Sequence, residues 1–407
     1  MSSKELTFED YREQLLEGLE GKKREITKSV LNNYIKESRK QQNSLMESGT
    51  TGSTVTNNFS RYDRIFMPLV RRVTPSLLSM ELVGNQPLTG PTGLVRTLRF
   101  RYSTDVVDTD GGTTDVVEAG DEASGQNVFE KYSLIAVGEP YDASDDRTNA
   151  EQTIALEGQG GNPMNADVVN HTVTAKTRKL SAVWSLEAEQ DSDALDGLDL
   201  ESELVSHLSD EIARELDREM INELKDIAGT VDNFDFANAD GRHAGERFTG
   251  LSIGFSELSN QINVKTKRGG ATWLVASPRI LTAMRHANDG SFTPATASVH
   301  TAPRDSLFQG TFNGNVRVFM DLYAENDYAL LGYKGGSELD TGFVYCPYVS
   351  VMSSGRIIDP TTFDPRVSLM TRYAFAEFVD EADNLGNSPD FYAKTTVSNL
   401  ELGFKSA

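Results

Sequence analysis

The sequence predicts an α+β fold, and two observations carry this prediction. The first is a long amphipathic helix in which leucine, isoleucine or methionine recurs every four residues from Leu200 to Leu224. The second is a set of strand-like runs on both sides of this helix, among them the alternating run 94–102 and the apolar run 272–276. Helices and strands mixed in this order along one chain are typical of layered α+β domains.

The ends of this helix, called the spine helix below, are also indicated. Four acidic residues between Asp196 and Glu203 surround its first turn, where carboxylates offset the positive end of the helix dipole. Gly229 stands where a glycine commonly ends a helix, so we place the spine helix at 199–228. A repeat of four residues on a turn of 3.6 rotates the apolar stripe by about 40° per step. We therefore expect the helix to touch different partners along its length.

The composition bounds the class of protein. A length of 407 residues allows two or three domains, and 38% hydrophobic residues are enough to build their cores. The net charge of −22 argues against a general nucleic-acid-binding surface, because phosphate contacts need clustered Lys and Arg. The single cysteine, Cys346, excludes an intrachain disulfide framework and indicates synthesis in a reducing compartment. Since no apolar run of about 18 residues occurs, we expect a soluble chain made in the cytoplasm, without a membrane span.

Residues 1–47 differ in composition from the rest of the chain and are called the leader below. They are helical in pattern and carry nine Lys/Arg and nine Asp/Glu, so the whole net charge belongs to residues 48–407. Residues 48–60 then form a small, polar run typical of a linker. Two interpretations stay open, a permanently attached docking helix and a removable leader. No residue pattern in the leader complements the later strands, and this favours the interpretation as a removable leader.

A second unusual segment lies beyond the strand at 94–102. We place the return arm of this strand at 172–186, so that residues 103–171 form the far end of a very long hairpin. Between 105 and 122 this hairpin carries seven acidic residues and no Lys or Arg, and it cannot build a core of its own. We expect it to rest on a neighbouring subunit that offers basic groups. The candidate contact residues are Asp105, Asp108, Asp110, Asp115 and Glu118 on the acidic side, and Arg71, Arg72, Lys265, Lys267 and Arg268 on the basic side.

Signals of catalysis are weak. The run 250–254, Gly-Leu-Ser-Ile-Gly, matches the nucleophile elbow of serine hydrolases, so a hydrolase that uses Ser252 is one alternative function. That motif needs a buried strand immediately before the serine, whereas residues 244–249 are polar. The five histidines show no metal-ligand spacing, and no phosphate-binding glycine loop occurs. We therefore predict no catalytic, cofactor or metal site, and we interpret Cys346 as a buried small residue.

An ordered set of short motifs resembles a known family, the major capsid proteins of T-even-type, contractile-tailed bacteriophages, which have an HK97-like fold. The matching stretches span residues 83–375 in the order of that family. They are Val83–Gly93, Lys176–Leu180, Glu187–Asp191, Asp210–Glu219, Trp273–Ser277, Asp327–Tyr328, Gly332–Gly335, Tyr345–Tyr348, Asp359–Pro360 with Phe363, and Met370–Tyr373. One departure is visible: residues 103–175 are too few to hold the insertion domain of T-even relatives.

The resemblance implies a division of the chain and a function. The implied parts are a helical leader at 1–47, an N-terminal arm at 48–93, an extended-loop hairpin at 94–186, a peripheral domain at 187–289, an axial domain at 290–355, and return strands of the peripheral domain with the C-terminus at 356–407. The implied function is a protein that assembles with itself into hexameric capsomers of an icosahedral head shell. Such a shell encloses double-stranded DNA without sequence-specific binding and resides in the virion, after synthesis in the host cytoplasm.

The resemblance also implies partners and processing. A scaffold, a maturation protease, and vertex and decoration proteins are the implied partners. The implied protease cuts after a glutamate in a Leu/Ile/Met-x-Glu setting, and Leu45-Met46-Glu47-Ser48 provides that setting where the composition changes. We therefore predict a cut between Glu47 and Ser48. A nanocompartment shell of the encapsulin type is the alternative within the same fold.

Overall fold

A computed structural model provides the fold. It describes residues 15–19, 21–47, 73, 77–102, 164–197, 200–236, 244–266, 268–287, 290–295, 307–338, 340–359, 361–362, 364–379 and 387–400. The helices of these residues are α1 (Gly21–Glu47), α2 (Ser79–Leu82), α3 (Leu186–Asp196), α4 (Leu200–Ile227), α5 (Ala244–Thr266) and α6 (Pro278–Arg285). The strands are β1 (Gly84–Asn85), β2 (Thr92–Tyr102), β3 (Met164–Thr174), β4 (Lys176–Val183), β5 (Thr230–Asp235), β6 (Trp273–Ala276), β7 (Phe292–Pro294), β8 (Phe308–Phe312), β9 (Val316–Met320), β10 (Tyr328–Gly332), β11 (Phe343–Ser353), β12 (Ile357–Ile358), β13 (Pro365–Glu377) and β14 (Tyr392–Ser398).

The chain divides into two compact units, each built from three separate stretches. The first unit contains Met1–Val95, Thr172–Glu223 and Val344–Ala376, and the second contains Arg96–His171, Leu224–Phe343 and Glu377–Ala407. The ends of these stretches do not coincide with the expected domain boundaries at 289 and 355. The difference arises because strands far apart in sequence share one sheet, which a scan along the chain does not reveal.

A sheet with a fully covered central strand organises the first unit. Its order is β1-β11-β13-β12, with β4 also paired to β13. Strand β4 runs antiparallel to β13 from Lys176, opposite Tyr373, to Val183, opposite Arg366. Strand β11 is buried along nearly its whole length, as its continuous apolar run requires when both faces of a strand are covered.

The spine helix forms where the sequence predicts it, as α4. Its buried residues form one winding stripe, but the four-residue leucine repeat does not coincide with that stripe throughout, since Leu204 and Leu208 are only half-buried. The buried members are Val205, Ser209, Ile212, Ala213, Leu216, Asp217, Met220, Ile221 and Leu224. The expectation of different partners along the helix holds within the first unit. There the Asp217 carboxylate accepts the backbone N–H of Leu78 at 3.0 Å, while Glu215 and Glu219 bond Arg178 of β4.

The predicted return arm of the hairpin is wrong. Strand β2 pairs with β3, at 164–174, and the stretch 176–183 forms β4, which pairs with β13 instead. Ala175 separates the two strands, and its N–H donates to the carbonyl of Pro91 at 2.8 Å. The burial alternates in both strands but changes phase after Ala175, since Lys176 and Thr177 are both exposed. The sequence analysis interpreted the stretch as one strand and missed this change of phase.

A seven-stranded sheet forms the second unit, in the order β5-β14-β10-β6-β9-β8-β7. The central strands β6 and β10 are fully buried and pair antiparallel, with Trp273 opposite Gly332. Ser277 and Pro278 begin α6, as their order in the sequence predicts, because proline lacks the N–H that the first turn of a helix leaves unpaired. Helix α5 begins at Ala244, so the polar stretch 244–249 is helical.

Candidate assembly surfaces

The leader packs on the first unit through one face of α1. Six of its side chains are almost inaccessible, and they recur at the three- and four-residue spacing that places residues on one side of a helix. They are Ile26, Thr27, Val30, Leu31, Asn33 and Tyr34. The opposite face presents Lys22, Arg24, Glu25, Lys28 and Lys36 to the exterior. Helix α1 is therefore amphipathic in the ordinary sense, and its apolar side is covered.

Polar contacts fix α1 at three points. Lys23 Nζ lies 2.9 Å from Glu81 Oε1 at the start of the helix. At the middle of the helix, the Asn33 amide donates to the carbonyl oxygens of Leu88, at 2.6 Å, and Tyr348, at 3.0 Å. The Tyr348 hydroxyl in turn donates to Glu37 Oε1 at 2.7 Å. Burial, followed by this hydrogen bond, raises the pKa of Tyr348 to about 12.

These contacts correct the expectation that nothing in the leader complements the later strands. The complementary groups are backbone carbonyls and a tyrosine of β11, and a backbone carbonyl does not show in a sequence as a binding partner. The signal that could have found the docking is the stripe Ile26, Val30 and Tyr34, because an apolar stripe on one side of a helix indicates a surface that covers it.

A group of four side chains joins α3 and α4 to the segment after β11. The Arg356 guanidinium binds both oxygens of Glu189, at 2.6 and 2.9 Å, and lies 3.4 Å from Glu201. The Trp184 indole N–H donates to Glu189 Oε2 at 3.0 Å. Burial alone would raise the pKa of Glu189, but the bonds from Trp184 and Arg356 outweigh burial and lower that pKa. Sequence reasoning missed Arg356, because an isolated arginine between strands carries no local pattern.

We expect this group to make the stability of the first unit depend on pH. Since the pKa of Glu189 is lower in the folded chain than the usual value of about 4.3, its stabilisation is complete above that value and is lost as the pH falls through the folded pKa. Glu189→Gln should lower the melting temperature at pH 7 and lower it by less at about pH 3. Calorimetry at both pH values measures this, with Glu187→Gln, an exposed neighbour on α3, as the control. An equal loss at both pH values would contradict the prediction.

A second group ties the spine helix to the sheet of the first unit. Arg178 of β4 binds Glu215 and Glu219 of α4, and its Nε donates to the Tyr373 hydroxyl of β13 at 3.1 Å. Tyr373 also donates to Glu219. Burial would lower the pKa of Arg178, but the bonds to Glu215 and Tyr373 raise it. The planar guanidinium reaches three partners in two elements, α4 and β13, through separate N–H groups in a fixed geometry that a lysine ammonium does not have.

The predicted contact residues divide into two groups. The acidic candidates Asp105, Asp108, Asp110, Asp115 and Glu118, the basic candidates Arg71, Arg72 and Lys267, and Ser48 lie outside the described residues. Glu47 is the last residue of α1.

The other two basic candidates are engaged within the second unit. Arg268 lies 2.9 Å from Asp340 and stacks on the ring of Phe391, and Lys265 donates to the Thr230 hydroxyl at 2.9 Å. Lys265 and Arg268 therefore have polar partners within the second unit, and their contact with a neighbouring subunit stays a prediction.

Ser252 does not lie on a nucleophile elbow. It is inside α5 and 3% exposed, where its hydroxyl accepts from the Ser291 hydroxyl at 3.5 Å. An elbow needs a sharp turn between a strand and a helix, whereas the residues before Ser252 are themselves helical. Among the described residues, no group of three His, Cys, Asp or Glu side chains is placed to hold one metal ion. The described helices include none that is long and apolar enough to cross a membrane.

Comparison with known proteins identifies the class. The major capsid protein of Vibrio phage KVP40 is 29% identical over 83% of this chain and 80% of its own length. That of Serratia phage KSP90 is 29% identical over 92% and 91%, and that of Enterobacteria phage T4 is 28% identical over 78% and 76%. A solved structure with a similar trace, the capsid of Myoviridae phage XM1, has 10% identity and a TM-score of 0.43 over 79% of this chain and 92% of its own.

The α+β fold and these relatives define a structural protein of phage heads. The family model for the major capsid protein Gp23 matches residues 59–397, and this chain belongs to that family. The predicted function as a major capsid protein is thereby confirmed, and the described helices and strands confirm the predicted α+β class. A capsid protein assembles into a shell of many copies and is part of the virion. The nanocompartment and hydrolase alternatives find no support.

Proposed function

We propose that this major capsid protein assembles with itself into hexameric capsomers, which form an icosahedral head around double-stranded DNA. The observation that carries the proposal is the family match over most of the chain, from residue 59 to residue 397. The net charge of −22 supports enclosure of DNA without specific binding, because an acidic surface does not hold phosphates. We further propose that the chain is made in the host cytoplasm, performs no catalysis, and meets scaffold, vertex and decoration proteins.

Electron microscopy of the purified full-length chain tests this proposal. Rings of six subunits, tubes or closed shells are the expected products, since a shell protein has to close on copies of itself. Monomers at every concentration and salt condition would sink the proposal. Size-exclusion chromatography with light scattering of the same samples separates capsomers from aggregates.

The two compact units support a revised division into domains. We propose that the first unit, with the spine helix and the sheet around β11, is the peripheral domain. The second unit, with its seven-stranded sheet, would be the axial domain, and the ribbon of β2 and β3 would form the base of the extended loop. Cross-linking of assembled capsomers through cysteines introduced on β7 or on β12 tests this division. Cysteines on β7, in the proposed axial domain, should link six copies around one centre, whereas cysteines on β12 should not.

We propose that the acidic segment 105–122 contacts a neighbouring subunit through Asp105, Asp108, Asp110, Asp115 and Glu118. Its composition supports this, since seven acidic residues without a cation cannot form a core. Exposed pairs contribute only about 0–1 kcal/mol each, so such contacts would set the register more than they hold the shell. Hydrogen exchange in this segment should slow on assembly. Equal exchange rates in capsid monomers and shells would rule the contact out.

We propose that a maturation protease removes the leader by cutting between Glu47 and Ser48. The end of α1 at Glu47 and the polar run that follows support an accessible site there, because proteases cut outside packed elements. Intact-mass measurement of the protein from DNA-filled heads should find a chain that begins at Ser48. A mature chain that still begins at or near Met1 would show that the leader is permanent.

A further inference from the structure

The sheet of the first unit lies between two helices. Tyr373 of β13 donates to Glu219 of α4, so its side chain lies on the α4 side of the sheet. Because successive side chains of a strand point to opposite faces, Arg372 lies on the other side, where its guanidinium stacks 5.2 Å from the centre of the Tyr348 ring. The Tyr348 hydroxyl donates to Glu37 of α1. Helix α1 therefore lies on the face of this sheet that is opposite to α4.

Strand β11 is buried on both faces, and each face has its own cover. On the α4 side, the ring of Tyr345 lies 6.1 Å from that of Tyr373, and on the other side Tyr348 meets α1. Tyr345 and Tyr348 are each 3% exposed, and Val30 and Leu31 of α1 are 0% exposed. A sheet that is apolar on both faces is stable only when a layer covers each of them. The leader thus supplies one layer of the first unit.

The polar contacts of α1 join parts of the first unit that are far apart in sequence. Lys23 reaches Glu81 of α2, 58 residues away, and Asn33 reaches the carbonyls of Leu88 and Tyr348, 55 and 315 residues away. Without the Asn33 amide, two buried carbonyls would lose a donor, and a buried acceptor without its donor is costly. Helix α1 therefore contributes to the positions of α2, of Leu88 and of β11 relative to one another.

We propose that the leader is a folding segment: the first unit of a free subunit needs α1 as a layer in order to be stable before the chain meets other copies. Elements that share a buried interface unfold together, whereas a docked tag unfolds without affecting the body beneath it. The full-length chain is then the form that folds and assembles. The proposal rests on the contacts of α1 and needs neither the cut nor the hexamers proposed above, although such a cut would act on a subunit that has already folded.

Hydrogen exchange of the full-length chain, kept as free subunits, tests the folding segment. Leu31→Ala removes a fully buried side chain of α1 and should lower the equilibrium constant for folding by about thirtyfold or more. Exchange should accelerate by the same factor in α1, in β11 and in the buried part of α4, because the three elements form one cooperative unit. Lys28→Ala, on the exposed face of α1, is the matched control and should change none of them. Faster exchange confined to α1 would identify a docked tag and overturn the proposal.

Refolding in two pieces is the second test. The full-length chain with a protease recognition sequence between Glu47 and Ser48 is folded, cut and separated in urea, and the body is then diluted alone or with the leader piece. Most of the folded body should be lost when it is diluted alone and should be recovered with the leader. A Leu31→Ala leader should recover less, and a Lys28→Ala leader as much as the parent.

Equal yields with and without the leader piece would overturn the folding segment. If neither the full-length chain nor its pieces refold from urea, the exchange measurement decides, because it uses subunits that were never unfolded. Shell formation enters neither measurement, so failure of this proposal would leave the shell function intact.

Discussion

Leu216→Ala is expected to destabilise the first unit by about 2–5 kcal/mol and to reduce the yield of shells sharply. Leu216 is 4% exposed and lies on the buried stripe of α4, between Glu215 and Asp217, whose side chains bond β4 and the backbone of Leu78. Neighbours fixed by such bonds cannot collapse into the space that a lost side chain leaves. A loss of this size is a large part of the stability of an ordinary domain.

Leu195→Ala is the matched control, because the same side chain is 83% exposed at the end of α3. It should change the free energy of unfolding by no more than about 0.5 kcal/mol. Urea denaturation measures the free energy of unfolding of both variants, and calorimetry measures their melting temperatures. Electron microscopy measures the yield of shells. Similar stability of the two variants would mean that α4 is not packed along this stripe. Leu208→Ala, at a half-buried position of the same helix, should fall between them.

Gly332→Ala is the second substitution with a large expected effect, and it acts in the second unit. A Cβ at Gly332 would lie 2.1 Å from Cζ2 of Trp273, which is opposite it on β6. Trp273 is 0% exposed and packs against Tyr392 with 5.9 Å between ring centroids, so the indole has no room to move aside. Overpacking of a core costs about 1–3 kcal/mol and sometimes more, and we expect the upper end of that range.

Gly254→Ala serves as the control for Gly332→Ala and should have the opposite sign. Gly254 lies inside α5, and a Cβ there meets no atom within 4 Å. Alanine in place of glycine in a helix stabilises it by about 0.5–1 kcal/mol, because the unfolded chain loses freedom. Differential scanning calorimetry compares the two. A melting temperature of Gly332→Ala equal to or above that of the parent would show that the strands β6 and β10 are not packed as described.

The local elements of this fold follow from the sequence. The spine helix was predictable because its period extends over seven turns and both of its ends carry helix-end residues. Strands β9 and β10 were predictable because short apolar runs lie between turn residues. The start of α6 followed from Ser277-Pro278 alone. In each case the interactions that determine the structure are between residues close together in the chain.

The contacts of the leader helix and of Arg356 were less predictable because their partners are distant in sequence. The Asn33 amide meets a carbonyl of β11 that lies 315 residues away, and Arg356 meets Glu189 at a distance of 167 residues. Neither backbone acceptors nor single charges leave a pattern along the chain. The exchange of partner between β3 and β4 was missed although it leaves a local mark, two consecutive exposed residues, Lys176 and Thr177, directly after Ala175.

The position of Cys346 has a practical consequence. It is the sole cysteine of the chain, it is 0% exposed in β11, and burial raises the pKa of its thiol to about 12. A reagent that needs a thiolate reaches it only while the strand is open, so the rate of labelling counts those openings. Tyr348, which the leader helix holds, lies two residues further along the same strand. The chain thus contains its own reporter of loosening around β11, and one reagent can read it both in the free subunit and in the finished shell.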